Sequence, residues 1–252
     1  MVNILMSGCN GKMGQVITRL ASEREDVRIV CGYDLRDSIQ NPYPVFTNIN
    51  NCNIDIDVII DFSNPAAFDT LVDFAVSRKI PLVMATTGLT QVQVKKLEMV
   101  SREIPVFFSA NMSLGVNLVI DLVKKAAKIL ESNFDIEIVE KHHNQKVDAP
   151  SGTALAIADA INTVLEQQQE YIYDRHSRRK KRSKKEIGIH AVRGGTIVGD
   201  HSVIFAGNDE IIEINHMAMS KEIFGVGALR AAGFIHRKKP GMYNMNSLIS
   251  EE

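Results

Sequence analysis

The sequence predicts an α/β protein: a parallel-sheet domain followed by an α+β domain with a mixed sheet. Three observations carry this. Over the first 110 residues, apolar strand-like runs alternate with helix-like segments, the pattern of right-handed crossovers in a parallel sheet. A glycine-rich loop joins the first run to the first helix. After residue 111 the rhythm changes to long helices and strictly alternating strands.

The elements follow in order. Residues 2–6 are a short apolar strand ending at Gly8. Residues 12–22 place Met13, Val16, Ile17 and Leu20 on one helical face. Residues 27–33 read as a second strand, stopped by Asp34, and residues 37–53, rich in Asn and Pro, as a loop. Residues 57–62 (DVIIDF) are continuously apolar enough for a buried strand. Ser63-Asn64-Pro65 then opens a helix to about residue 78, with a capping side chain and Pro in the first turn. Residues 81–85 are a strand, 90–102 a helix and 105–110 a strand. In the second half, 114–130 is a long amphipathic helix and 134–141 an alternating strand, with a further helix over 151–168. Residues 187–193, 196–206 and 210–218, separated by Gly-Gly and Gly-Asn-Asp, are expected to form an antiparallel meander. A small-residue-rich helix over 224–235 is expected to return to the first domain.

Composition narrows the function. With 252 residues, 45% hydrophobic and 23% charged, the chain has material for a full core. Lys plus Arg is 29 and Asp plus Glu 30, a net charge of −1, which argues against a nucleic-acid partner. Three cysteines, Cys9, Cys31 and Cys52, are too few and scattered for a disulfide framework, and no metal site is expected. No apolar run approaches the ~18 residues of a membrane span, and no leader precedes the first strand, so the expectation is a cytoplasmic protein without a membrane partner. One segment is lopsided: residues 175–185 carry eight basic residues and no acid, and without those eight the chain has 21 basic against 30 acidic residues. It lacks aromatic interleaving and reads as a mobile loop whose field concentrates anions.

Gly8-Cys9-Asn10-Gly11-Lys12-Met13-Gly14 occupies the first strand-to-helix turn. Glycines there permit close backbone approach to a pyrophosphate, and the helix N-terminus offers free N–H groups. The spacing is G-x-x-G-x-x-G, with Asn10 where a glycine is usual. Asp34 stands twenty residues after Gly14 at the end of the second strand, the place of a carboxylate that meets adenosine ribose hydroxyls. Together these predict a Rossmann-like dinucleotide site. Asp34 favours NADH, while Arg36 offers a cation for a 2′-phosphate, so NADH or NADPH is left open. Thr86-Thr87-Gly88 and Ser109-Ala110-Asn111-Met112 end later strands, where ligands of open parallel sheets bind.

The stretch from Glu140 to Thr153, EKHHNQKVDAPSGT, carries the richest chemistry. Adjacent His142 and His143 supply a proton donor or acceptor near neutral pH, and Lys146 a cation for a carboxylate. Ser151-Gly152-Thr153 at a helix start is an anion nest. One loop thus suits a small anionic substrate with an atom to be protonated.

EKHHNQKVDAPSGTA, with GCNGKMG, ATTG, SANMSLGVN, VRGGTIVGDHSVIFAG and GMYNM, resembles the 4-hydroxy-tetrahydrodipicolinate (dihydrodipicolinate) reductases, in order from Val2 to about Leu248. The resemblance implies NAD(P)H-dependent reduction of a cyclic dicarboxylate to tetrahydrodipicolinate, with loss of water, in lysine and diaminopimelate biosynthesis. It implies His142 as proton donor and acceptor and Lys146 as a second donor, with His143, Gly152 and Thr153 on the substrate carboxylates. The cofactor would meet Gly8, Cys9, Asn10, Gly11, Lys12, Met13, Asp34, Ala85, Thr86, Thr87, Ser109, Ala110, Asn111 and Met112. It also implies a discontinuous dinucleotide-binding domain over 1–112 with 221–252, a substrate-binding and oligomerisation domain over 113–220, and a homotetramer. Ala85 stands where many members have Gly, and Leu35 where some have Arg. The alternatives are another small-molecule NAD(P)-dependent dehydrogenase of similar fold, or a non-catalytic dinucleotide sensor.

Overall fold

The structure, a computed structural model, describes residues 1–251. In chain order the first elements are β1 (Val2–Ser7), α1 (Lys12–Ser22), β2 (Val27–Tyr33), β3 (Val45–Phe46), β4 (Val58–Asp61), α2 (Phe68–Ser77), β5 (Leu82–Met84), α3 (Gln91–Val100) and β6 (Pro105–Phe108). Then come α4 (Leu114–Leu130), β7 (Asp135–His142), α5 (Gly152–Asn162), β8 (Glu170–Ile172), β9 (Glu186–Arg193), β10 (Gly199–Ala206) and β11 (Ile211–Ala218). The chain closes with α6 (Glu222–Ile235), β12 (Gly241–Tyr243) and α7 (Met245–Ile249). It divides into two compact units, residues 1–114 with 222 onward, and Gly115–Lys221. Among the described residues no helix is long and apolar enough to cross a membrane.

The first unit is a seven-stranded parallel sheet in the order β12-β6-β5-β4-β1-β2-β3. Side chains alternate across a strand, and β1 shows it. Ile4 and Met6 join the core under α1 and α6, while Leu5 joins the core under α2 and α3. The small residues of α6 let its backbone come close: a Cβ on Gly225 would lie 2.9 Å from Leu20 Cδ1, and one on Gly227 would lie 1.7 Å from the Met112 carbonyl oxygen. The chain leaves β1 toward β2 and returns to β4 on the other side. That reversal opens a crevice at the carboxyl ends of β1 and β4.

The second unit is a five-stranded mixed sheet, β11-β10-β7-β9-β8. Ile136, Ile138, Ile187, Ile189, Val203 and Phe205 face α4 and α5 in one core. The expected three-strand meander is corrected here. Only β10 and β11 form a hairpin; β9 lies on the far side of β7 and runs parallel to it. The chain between β7 and β9, through α5 and β8, acts as a crossover, and a crossover delivers a parallel strand. The helix expected over 151–168 stops at Asn162, because the Asn162 amide turns the chain by bonding the Gln169 backbone, accepting from N at 2.8 Å and donating to O at 3.1 Å. The loop expected over 37–53 contains β3, recruited as Gly32 N–H donates to the Pro44 carbonyl at 2.9 Å.

Candidate active site

The glycine loop sits at the β1–β4 crevice. Gly8 has φ +78°, and a Cβ there would lie 2.7 Å from the Phe62 carbonyl, so this turn admits only glycine. A Cβ on Gly14 would lie 2.3 Å from the Gly8 carbonyl, which seats α1 hard against the turn. Gly11 caps α1 without a side-chain bond, and a helix leaves its first N–H groups without intrahelical partners. A cavity of about 340 Å³ opens here, bounded by Gly8, Asn10, Gly11, Asp34 and Arg36 on one side and by Phe62 to Asn64 on the other. These features fit a dinucleotide: close backbone, helix amides and a carboxylate on one cavity.

Asn10, in a glycine's usual place, ties this loop to the segment after β2. Its N–H donates to Asp34 Oδ2 at 3.0 Å, its side-chain nitrogen donates to the Arg36 carbonyl, and its Oδ1 accepts from Asn41 Nδ2 at 2.8 Å. Cys9 is buried, and burial, with the Asp34 charge second, pushes its thiol up to about 12. Its side chain belongs to the core and its carbonyl accepts from Gln15 Nε2 at 2.8 Å, so Cys9 does not line the cavity. Lys12 is exposed and Met13 half-buried at the start of α1.

The other predicted cofactor residues follow β5 and β6 along the same carboxyl edge, outside that cavity. Ala85 and Thr86 are buried and Thr87 exposed; Ser109 and Asn111 are half-buried, Ala110 exposed and Met112 buried. Thr86 has a partner the sequence reading missed: its hydroxyl donates to Asp61 Oδ2 at 2.6 Å. Asp61 ends β4 at 1% exposure, and burial raises its carboxyl above the usual range. Its signal is an acid closing an otherwise apolar strand.

In the second unit, β7 carries the predicted proton donor. Ile136 and Ile138 face the core, and the same face continues as Glu140 and His142. Glu140 is fully buried. It accepts from Arg193 Nη1 at 2.8 Å and Nη2 at 2.7 Å, from the Ser151 N–H at 3.0 Å, and pairs with His142 Nδ1 at 2.6 Å. Burial pushes this carboxyl up, but Arg193, His142 and the Ser151 amide outweigh it and hold it below the usual range. Beside His142 lies His201, its ring edge-on at 5.2 Å and its Nε2 3.0 Å from the Ser151 hydroxyl. Burial, reinforced by His142, lowers His201 to about 4.

The loop after β7 brings the remaining residues together. His143 is half-buried, and Lys146 Nζ lies 2.8 Å from Asp148, whose carboxyl it holds below the usual range. Ser151 caps α5 by accepting from the Ala154 N–H at 3.2 Å, with Gly152 exposed and Thr153 half-buried in the first turn. Glu140, Arg193, Asp148 and His201 were not singled out from sequence. Glu140 alone carried a signal, a carboxylate two residues before a histidine on an alternating strand.

The basic segment 175–185 is a loop, but it is pinned. Arg175 pairs with Glu186 at 2.6 Å and with Glu137, and Arg178 with Glu170 at 3.0 Å. Arg182 reaches Asp135 and Glu137 at 3.0 and 2.9 Å, and Lys184 reaches Asp135 at 3.1 Å. Four of its cations therefore neutralise acids of the sheet and its edge.

The family model described as dihydrodipicolinate reductase, N-terminus, matches residues 2–112, and that described as dihydrodipicolinate reductase, C-terminus, matches residues 115–249. The chain belongs to the dihydrodipicolinate reductase family. It is 54% identical over 251 residues to a 4-hydroxy-tetrahydrodipicolinate reductase of Caldanaerobacter subterraneus subsp. tengcongensis, covering 100% of this chain and 99% of that one. It is 49% identical over 250 residues to the Clostridium tetani protein of the same name, covering 99% and 98%. Among solved structures, the dipicolinate-bound dihydrodipicolinate reductase of Paenisporosarcina sp. TG-14 shares the fold, with a TM-score of 0.84 at 23% identity and coverage of 98% and 99%. Both family models, like the units of the fold, part near residue 114.

Proposed function

We propose that this chain catalyses the NAD(P)H-dependent reduction of 4-hydroxy-tetrahydrodipicolinate to tetrahydrodipicolinate, with loss of water, in lysine and diaminopimelate biosynthesis in the cytoplasm. One observation carries the reading: β7 ends with His142 on a buried carboxylate, the loop after it presents Lys146, and α5 opens on the amides of Gly152 and Thr153. That is a proton-transfer group, a cation and an anion nest, which together suit a cyclic dicarboxylate.

Bound NADH or NADPH supplies the hydride. The glycine loop from Gly8 to Met13 holds its phosphates through helix amides, and Asp34 takes the adenosine ribose. The segments Ala85 to Thr87 and Ser109 to Met112 hold the nicotinamide half. His142 gives a proton to the substrate atom that gains electron density, and recovers one from solvent. Lys146 exchanges Asp148 for a substrate carboxylate, and His143, Gly152 and Thr153 bind the carboxylates. Arg36 shares the cavity with Asp34, which supports use of both cofactors. A homotetramer formed through the second unit's sheet is part of this reading: Val192, Ile211 and Met217 are exposed on the face opposite α4 and α5.

Steady-state kinetics test the proposal. His142→Gln is expected to lower kcat by ~10²-fold or more, the scale of a lost acid–base group. A folded variant of normal kcat overturns the assignment. Run with both cofactors, the same assay on Arg36→Ala is expected to raise KM for NADPH more than for NADH; equal effects remove Arg36 from cofactor choice.

A further inference from the structure

We propose that Glu140 is the positioning residue for His142: clamped by Arg193, its carboxylate holds the imidazole with the proton on Nδ1 and leaves Nε2 as the atom that exchanges protons. The proposal rests on reading His142 as the acid–base group.

The argument begins with burial. A carboxylate taken wholly out of water is tolerated only when its oxygens are fully partnered. Glu140 has four partners, and three are the Arg193 Nη1 and Nη2 groups and the Ser151 amide. All three can only donate. The fourth, His142 Nδ1, lies 2.6 Å from Oε2, and an ionised carboxylate only accepts. The proton between them therefore sits on Nδ1, which in the neutral ring places the lone pair on Nε2. Nε2 makes no hydrogen bond among the described residues. Beside it stands Gly199, where a Cβ would lie 3.2 Å from Nε2, so glycine keeps that nitrogen uncrowded.

The other groups around His142 do not compete for Nδ1. His201, from β10, has Nε2 on the Ser151 hydroxyl. That hydroxyl also accepts from the Ala154 N–H, so His201 is engaged with Ser151 and not with the His142 ring nitrogens. His216 lies opposite His201 on β11, and Lys141 and Asp200 pair with each other at 2.9 Å on the other face of the sheet. The clamp itself depends on sheet register: β9 places Arg193 across from His142, and β10 places His201 across from Glu140.

The test is Glu140→Gln. Arg193 Nη2 and the Ser151 amide, which both donate to Oε1, hold the amide oxygen there, so the NH₂ takes the place of Oε2 between Arg193 Nη1 and Nδ1 and forces the imidazole proton onto Nε2. We expect kcat to fall about 10²-fold or more, the consequence of a wrong tautomer, with Kd for NADH, read by its fluorescence, changed less than twofold. In ¹⁵N-histidine spectra above neutral pH, His142, assigned by its loss in His142→Gln, should move from the Nδ1–H to the Nε2–H form. Glu140→Asp should restore the tautomer and part of kcat. If His142→Gln keeps kcat, the acid–base reading fails. If His142→Gln loses kcat while Glu140→Gln keeps both tautomer and kcat, the positioning proposal alone fails. Should Glu140→Gln not fold, the wild-type spectrum decides, because Nε2–H in the neutral ring overturns the proposal.

Discussion

His142 and His201 lie 5.2 Å apart on one face of one sheet, yet their surroundings give them opposite characters. His142 has a buried carboxylate on Nδ1; His201 is 4% exposed with no carboxylate of the described residues in hydrogen-bonding reach, and burial lowers it to about 4. The unfolded chain takes a proton at this residue near the ordinary value of 6.5. Between those two values the unfolded state therefore binds more protons, and stability rises with pH. His201 contributes its full stability above about 6.5 and loses it as pH falls toward 4. Urea denaturation should show a loss of about 2 kcal/mol from this group between roughly pH 7 and 5. His201→Gln, which cannot titrate, should flatten that slope, and an unchanged slope would assign the loss elsewhere.

Two loops show how an element's surroundings decide what its residues do. The glycine loop departs from the usual spacing at Asn10, and its side chain turns that departure into a tie to Arg36 and Asn41. The basic segment reads in sequence as a solvated run of like charge. In the fold, Arg182 is 19% exposed and also donates to the carbonyls of Ile136 and Glu186, at 3.0 and 2.7 Å. Such a group joins the loop to β7 and β9 as a strut. Arg182→Ala should lower stability by about 1–3 kcal/mol, the range for a buried charged hydrogen-bond donor, read as a lower urea midpoint. Lys181→Ala, at a residue without an ion pair among the described residues, should change it little.

At the scale of the molecule, the nucleotide cavity and the histidine–lysine loop belong to different units. Their binding functions should therefore separate by mutation. Lys146→Ala is expected to raise KM for the dicarboxylate substrate at least tenfold, the worth of a lost charge-assisted contact. Kd for NADH alone, from its fluorescence, should stay within twofold; a comparable loss in both would mean that Lys146 supports the fold.

Much of this was legible in the chain. The αβ alternation, the glycine loop with Asp34, and the His142–Thr153 string are local patterns, set by side-chain period, backbone freedom and capping chemistry within a few residues. Sequence by itself therefore determined the fold class and the family, and it named the residues to which the proposed chemistry is given. The pairing of β9 with β7 rather than β10 was not legible, because alternation specifies which face is buried but not which strand is the neighbour. The partners of Glu140 escaped for the same reason: Arg193 and Ser151 lie 53 and 11 residues away. Only tertiary structure decided that a buried carboxylate stands on His142 and that four cations of the basic run pair with acids, since both depend on strand register and on charges that become neighbours only when the sheet forms.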